Sequence, residues 1–195
     1  FQRKDQSKSL DINVACITDR DIMPNCAPGI CINEKYTLDN KTWPEKAKRA
    51  WRAESDFTKK EAEAHLKKIK ERADGQGVRT FVAEHWTLEY DLAYEGLQNG
   101  DMKEVLINSL IKVSYVDKNR TSKKTELVNN LNKYQTIEEK ASYFYSYFTS
   151  KKASKADFAQ QFAIELENNY IGKADELKKV IPDYLVSAIE YATKG

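Results

Sequence analysis

The chain has 195 residues, of which 41% are hydrophobic and 32% charged, and this composition is typical of a folded globular protein with long exposed helices. The formal net charge of +2 excludes a strong overall basic field, although acidic and basic patches could cancel in the total. No apolar run approaches the roughly 20 residues that a membrane-spanning helix needs, so we expect no membrane partner.

The first part of the chain predicts two strands. Residues 12–18 form a continuous apolar run, which is typical of a strand covered on both faces in a parallel sheet. Residues 78–83 form a second run, rich in Val, Thr and Phe. Thr87 then caps a predicted helix that starts at Leu88 and ends near Gly100. We expect the two strands to be parallel, because helical sequence separates them.

The segment between the two strands predicts an irregular loop at 22–41 and a helical insertion at about 42–74. Thr42 and Pro44 are typical of a helix cap and a first-turn proline. The Thr-x-x-Glu spacing at 58–61 predicts a capping box, which would start a second helix in the insertion.

From residue 101 onward the pattern is entirely helical. The predicted helix starts, each marked by a capping residue or a first-turn proline, are Asp101, Thr136, Ser154 and Pro182. The aromatic run 143–148 predicts helix packing or an oligomer surface, with base stacking as the alternative. The fold class is therefore α/β, with one domain at 1–100 and a helical C-terminal region at 101–195.

Cysteine usage indicates a reducing compartment. The chain has three cysteines, an odd number, and Cys16 lies inside the first apolar run. A disulfide framework is therefore not expected, and we predict a cytoplasmic location. The other two thiols and the two histidines are scattered, so they do not predict a zinc site.

Two aspartates follow the first predicted strand. Asp19 and Asp21 are separated by one residue, and residues so spaced point to the same side of an extended chain. At the carboxyl end of a parallel strand they would face the crevice where α/β proteins bind ligands. Hard cations such as Mg²⁺ take carboxylate oxygens as ligands. An ordinary turn, in which Asp is common, remains the alternative.

Three further polar residues follow the second predicted strand and would adjoin the aspartates. Glu84, Thr87 and Glu89 could complete an acidic pocket for two cations. Each also has a structural interpretation: Thr87 as a helix cap and Glu89 as a complement to the helix dipole.

Two segments together resemble the TOPRIM (topoisomerase–primase) domain of the OLD (overcoming lysogenization defect) family of ATP-dependent endonucleases, which includes anti-phage defence nucleases. The segment 14–21 is an apolar strand that ends in Thr-Asp-Arg-Asp, and 81–93 contains Thr-Leu-Glu-Tyr-Asp-Leu after a strand. The resemblance covers about residues 10–100 well and the helical tail loosely. It implies a partial TOPRIM Rossmann-like parallel sheet with a helical insertion, followed by an all-helical part.

The resemblance also implies roles for individual residues. Asp19 and Asp21 would be metal ligands, Thr87 and Glu89 would contribute to a second metal position, and Glu84 matches a less constrained place. Lys155, which lies in the sequence Lys-Ala-Asp-Phe-Ala, matches a family lysine expected near the scissile phosphate.

One departure from the family pattern concerns a glutamate on an earlier strand. Residues 1–18 contain no glutamate, and the chain starts at Phe1, so we interpret it as a C-terminal fragment whose first strand and glutamate lie upstream. No phosphate-binding loop is found in the chain, so ATP would act only through an N-terminal ATPase domain outside it.

The function implied by the resemblance is hydrolysis of DNA phosphodiester bonds with two Mg²⁺ or Mn²⁺ ions, with Asp19, Asp21, Glu89 and Lys155 as catalytic residues. A homo-oligomer in phage defence is the family expectation. RNA as the substrate and a non-catalytic helical interaction module remain the alternatives.

Overall fold

The structure is a computed structural model and describes residues 12–194. It is a mixed α/β fold that is mostly helical, with a small two-stranded parallel sheet. The regular elements are β1 (Val14–Thr18), α1 (Lys59–Glu71), β2 (Val78–Val82), α2 (Leu88–Gly96), α3 (Gly100–Ser114), α4 (Asp117–Leu131), α5 (Ile137–Thr149), α6 (Lys155–Tyr170), α7 (Ala174–Leu177) and α8 (Asp183–Thr193).

The two strands pair in parallel, as predicted. The register sets Val14 opposite Val78 and continues through five paired positions. Beyond the strand ends, the backbone N–H of Arg20 donates to the carbonyl of Trp86 at 2.8 Å. The loops that leave β1 and β2 are therefore tied together at the carboxyl edge of the sheet.

Side-chain caps define several helix starts where the sequence predicts them. Thr58 and Thr136 form capping boxes with a glutamate three residues later, at α1 and α5. Thr87 caps α2 and Ser154 caps α6, each by accepting a hydrogen bond from a backbone N–H in the first turn. Pro182 precedes α8, as predicted. These starts are set by residues within one turn of each other, so local sequence is sufficient to predict them.

The predicted helix that would start at Thr42 and Pro44 is absent. This part of the insertion contains only a short 3₁₀ turn, Lys46–Lys48, within extended backbone. The N–H of Met23 donates to the carbonyl of Arg52 at 2.9 Å, which requires an extended chain there. Pairing with a distant segment therefore overrides the local helical preference.

Three further predictions are corrected. The helix from Leu88 does not continue to Gly100, and Asp101 is not a cap, because Asn99 accepts the first N–H groups of a separate helix, α3. The first strand is not covered on both faces throughout. Ile17 is 48% exposed and lines an open apolar cavity of about 340 Å³, since α2, α6 and α8 surround it without filling the space.

The main core lies among the helices that follow β2. Helix α2 packs on α5 and α3 packs on α6, around fully buried side chains such as Tyr90, Leu106 and Phe144. The aromatic run in α5 is part of this core, which confirms the prediction of helix packing and removes most of it from contact with bases. The division of the chain at residue 100 remains a prediction. None of the helices within 12–194 is long and apolar enough to cross a membrane.

The contact between α2 and α3 predicts an intolerance to side-chain volume. A Cβ atom at Gly96 would lie 2.7 Å from Cγ of Met102 and would overlap Cδ1 of Leu106. We expect Gly96→Ala to lower the free energy of unfolding by about 1–3 kcal/mol, because it overpacks a close helix contact. Urea denaturation would measure the change. The matched control is Gly100→Ala, where nothing lies within 4 Å, and equal effects in both variants would contradict the packing argument.

Candidate functional site

The carboxyl edge of the sheet brings together residues that are far apart in the sequence. Asp19 directly follows β1, and Thr87 and Glu89 lie at the start of α2, which follows β2. Lys155 is the first residue of α6. The structure places these four residues next to one another, whereas Asp21 and Glu84 lie on the more exposed margins of the same edge.

Asp19 is half-buried, and its carboxylate is anchored to the N-terminus of α2. Its Oδ1 atom accepts a hydrogen bond from the backbone N–H of Leu88 at 3.0 Å. Burial raises the pKa of Asp19, the Leu88 N–H and Lys155 lower it, and the charges of Glu89 and Asp21 raise it further. The pKa of Asp19 therefore depends on the charges of Lys155, Glu89 and Asp21.

Asp21 adopts an uncommon backbone conformation. Its φ of 60° lies in the left-handed region, which residues other than glycine seldom occupy, although Asp tolerates it better than most. Because the chain leaves strand geometry before Asp21, the alternation of an extended chain does not align it with Asp19. The Asp21 side chain is exposed and borders a cavity that also contacts Trp51 and His65.

An ion pair links Glu89 to Lys155 across 66 positions of sequence. The Nζ atom of Lys155 lies 2.7 Å from Oε2 of Glu89, whose side chain is only 13% exposed. The same ammonium lies 5.2 Å from the centroid of the Tyr145 ring. Burial alone would lower the pKa of Lys155, but Glu89 and Tyr145 outweigh burial and the pKa is raised. Lys155 is therefore held in its charged form beside the acidic residues.

Thr87 and Glu84 have structural contacts of their own. Thr87 is buried, and its hydroxyl accepts a hydrogen bond from the N–H of Tyr90 at 3.3 Å, which confirms the helix-cap interpretation. The exposed Glu84 contributes its backbone N–H to the carboxylate of Asp91 at 2.6 Å. A metal-binding role for either side chain remains a prediction.

Asp91, to which sequence reasoning assigned no role, organises the turn before α2. The residue is 1% exposed, and its carboxylate accepts hydrogen bonds from the backbone N–H groups of Glu84, His85 and Trp86, at 2.6 to 3.3 Å. Burial raises the pKa of Asp91, and the three N–H groups oppose that rise. Its position inside α2 gave no sign that the side chain turns back to the preceding loop.

Tyr184 of α8 is a second residue that sequence reasoning did not identify. Its side chain is buried, and the hydroxyl has no hydrogen-bond partner among residues 12–194. Burial raises its pKa, and the charges of four carboxylates, those of Asp91, Asp19, Glu84 and Glu89, add to this effect. An unpaired hydroxyl therefore faces the acidic site from a helix about 90 positions further along the chain, and no local motif signals it.

The donor set can be compared with what a divalent cation requires. In the described part of the chain, no three Asp, Glu, His or Cys side chains converge closely enough to hold one ion by themselves. Mg²⁺ sites in proteins commonly use one or two carboxylates and take their other oxygens from water and substrate phosphate. Asp19 and Glu89 fit that requirement, since their mutual repulsion is partly offset by the ammonium group of Lys155.

Comparison of the chain with protein-family models, with curated proteins and with solved structures gave no match.

The buried carboxylate of Asp91 yields a stability prediction. We expect Asp91→Asn to lower the free energy of unfolding by about 1–3 kcal/mol, because an amide presents an N–H₂ donor to backbone donors and leaves them unpaired. Chemical denaturation would measure the loss. Asp157→Asn, an exposed change in the first turn of α6, is the control and should cost less than about 0.5 kcal/mol. A loss no larger than that control would show that the turn does not depend on Asp91.

Proposed function

We propose that this chain carries the catalytic site of a metal-dependent nuclease that hydrolyses DNA phosphodiester bonds. The observation that carries the proposal is the meeting of Asp19, Glu89 and Lys155, from three distant segments, at the carboxyl edge of a parallel strand pair. Ligands of α/β proteins bind at this edge. The carboxylates suit the binding of cations, and the lysine suits an anionic substrate. The site therefore fits an anion that is bound together with cations.

Asp19, Asp21 and Glu89 would hold two Mg²⁺ or Mn²⁺ ions, with the Thr87 hydroxyl near the second position and Glu84 as a further contact. The ions, when bound, supply activation of the attacking water and stabilisation of the leaving oxygen. The N–H of Leu88 orients the Asp19 carboxylate before any ligand arrives, which reduces the reorganisation needed on binding.

Lys155 would act on the substrate directly. It remains an ammonium at neutral pH, since its pKa is raised, and its side chain is 44% exposed, so solvent and a phosphate can reach it. A phosphate oxygen could replace the Glu89 carboxylate as its partner. In that position Lys155 would offset negative charge that develops on the scissile phosphate.

The resemblance to TOPRIM domains of OLD-family endonucleases supports the finer parts of the proposal. It suggests that an upstream strand supplies one more catalytic glutamate and that an N-terminal ATPase domain of the same protein couples cleavage to ATP. It also suggests a cytoplasmic homo-oligomer in antiviral defence. These parts are expectations from the motifs at 14–21 and 81–93.

The nuclease proposal predicts the effect of removing one carboxylate. We expect Asp19→Asn, in the protein that carries this chain, to reduce Mg²⁺-dependent or Mn²⁺-dependent nicking of plasmid DNA about 100-fold or more, because a metal ligand is lost. A chelator should abolish nicking by the unaltered protein. Asp39→Asn, in an exposed loop, is the control and should leave nicking unchanged. Undiminished nicking by the Asp19 variant would refute the proposed site.

The electrostatics of Asp19 predict a pH dependence. A carboxyl group must lose its proton to bind a cation. Because the pKa of Asp19 is raised, the nicking rate should begin to fall on acidification at a higher pH than it would with an Asp of ordinary pKa. Lys155 lowers the pKa of Asp19, so Lys155→Met should raise it further and move the acidic half-point of the rate to higher pH. Lys155→Arg keeps the charge and should keep the half-point. Identical half-points for Lys155→Met and the unaltered protein would contradict this coupling.

A further inference from the structure

A cavity beside Asp21 has a composition that the proposed cleavage site does not explain. Its volume is about 570 Å³, within the range of about 300–1,000 Å³ that small-molecule pockets occupy. We call it the Trp51 cavity, and it is lined mainly by aromatic and basic side chains. The residues that matter here are Asp21, Trp51, Arg52, Phe57, His65 and Trp86.

The aromatic walls of the cavity are held in fixed positions. The guanidinium of Arg49 lies 4.4 Å from the centroid of the Trp51 ring, and the Trp43 ring meets Trp51 edge-on at 5.2 Å. Trp86 is buried and packs 4.4 Å from the Tyr145 ring. Rigid aromatic side chains of this kind offer a flat ligand a prepared surface, because little side-chain freedom is lost on binding.

The two arginines at the cavity differ in the charge that they offer to a ligand. Arg49 is buried and forms a two-point ion pair with Asp56, at 2.7 and 3.0 Å, so its charge is neutralised within the protein. Arg52 donates from Nη1 to the carbonyls of Arg49 and Trp51, both at 2.9 Å. No carboxylate within 12–194 forms an ion pair with Arg52. Its guanidinium is therefore fixed by neutral groups and keeps a positive charge for an anionic ligand.

His65 presents a hydrogen-bonding edge to the same cavity. Its Nε2 atom lies 2.9 Å from the carbonyl oxygen of Arg20, which can only accept, so Nε2 carries the proton. The exposed residue Asp21, which also belongs to the proposed cation site, borders the cavity as well.

We infer that the Trp51 cavity binds one unpaired nucleotide next to the bond that is cleaved. The base would stack on the aromatic walls, and its phosphate would lie between Arg52 and the cation site at Asp21. In a duplex the base faces are covered by their neighbours, so a base must be unpaired or flipped out to stack here. The inference rests on the proposed nuclease function and narrows its substrate to single-stranded or locally unpaired nucleic acid.

Binding can be measured without any cleavage. The probe is a fluorescein-labelled oligothymidine, compared with a blunt-ended duplex of the same length, in buffer that contains a chelator. We expect fluorescence anisotropy to show at least about tenfold tighter binding of the single strand, because only the single strand presents free base faces. Quenching of tryptophan emission by the oligothymidine would report stacking directly.

Paired variants separate stacking and charge from simple loss of structure. Trp51→Leu should weaken single-strand binding about tenfold, whereas Trp51→Phe keeps an aromatic face and should stay within about threefold. Arg52→Gln should weaken binding and reduce the dependence of log affinity on log salt by about 0.7, as expected for one lost phosphate contact. Arg52→Lys should retain most of that dependence. Circular dichroism and the urea midpoint would verify that each variant folds.

The matched control is Arg79→Gln. Arg79 is an exposed arginine of β2 that lies over the Phe81 ring and borders a different cavity. This variant should bind the oligothymidine as the unaltered chain does. If it weakened binding as much as Arg52→Gln does, or if Trp51→Leu had no effect, the assignment of the Trp51 cavity would be overturned.

A parallel nicking assay distinguishes failure of this inference from failure of the nuclease proposal. Asp19-dependent nicking together with equal binding of single strand and duplex would overturn the inference and leave the nuclease proposal intact. Binding that depends on Trp51 and Arg52, with no nicking in any metal, would overturn the nuclease proposal and uphold the cavity as a nucleotide site.

Discussion

The turn between β2 and α2 is held by one buried carboxylate, and the geometry of the site depends on it. Asp91 reaches back from the first turn of α2, and its carboxylate accepts hydrogen bonds from the backbone N–H groups of residues 84–86. This contact fixes where α2 begins, and therefore where the Leu88 N–H that donates to the Asp19 carboxylate lies. Glu89 stands in the same first turn and meets Lys155 from α6. The strand pair supplies the edge, but the capped turn determines which groups face each other across it.

The negative charge at the site exceeds the positive charge that neighbouring side chains place beside it. Asp19, Asp21, Glu84 and Glu89 lie along one edge of the sheet, and the ammonium of Lys155 offsets part of their negative charge. Like charges held together in a partly dry site lower stability unless a cation or a protonated group joins them. Under the proposed function, an incoming cation would relieve this repulsion.

Local signals explain which parts of the structure could be predicted from the sequence. The strands at 14–18 and 78–82 and the capped starts of α1, α5 and α6 depend on neighbouring residues, and they were predicted to within a few positions. The segment after Thr42 was predicted wrongly, because its backbone pairs with Met23 instead of coiling. The place of Lys155 was suggested only by the family resemblance. The contribution of Tyr184 could not be predicted, since only tertiary packing brings α8 to the site.

Under the proposed function, the left-handed backbone at Asp21 sets fold stability against metal binding at a single position. A positive φ favours glycine, which has no Cβ atom to strain, and a non-glycine residue there costs on the order of 1 kcal/mol. A laboratory screen for thermal tolerance alone would therefore be drawn towards Asp21→Gly, which relaxes the backbone and discards the carboxylate. Stabilised variants of this protein would have to be chosen with Asp21 unchanged, because a gain in stability from its replacement would remove a carboxylate of the proposed metal site.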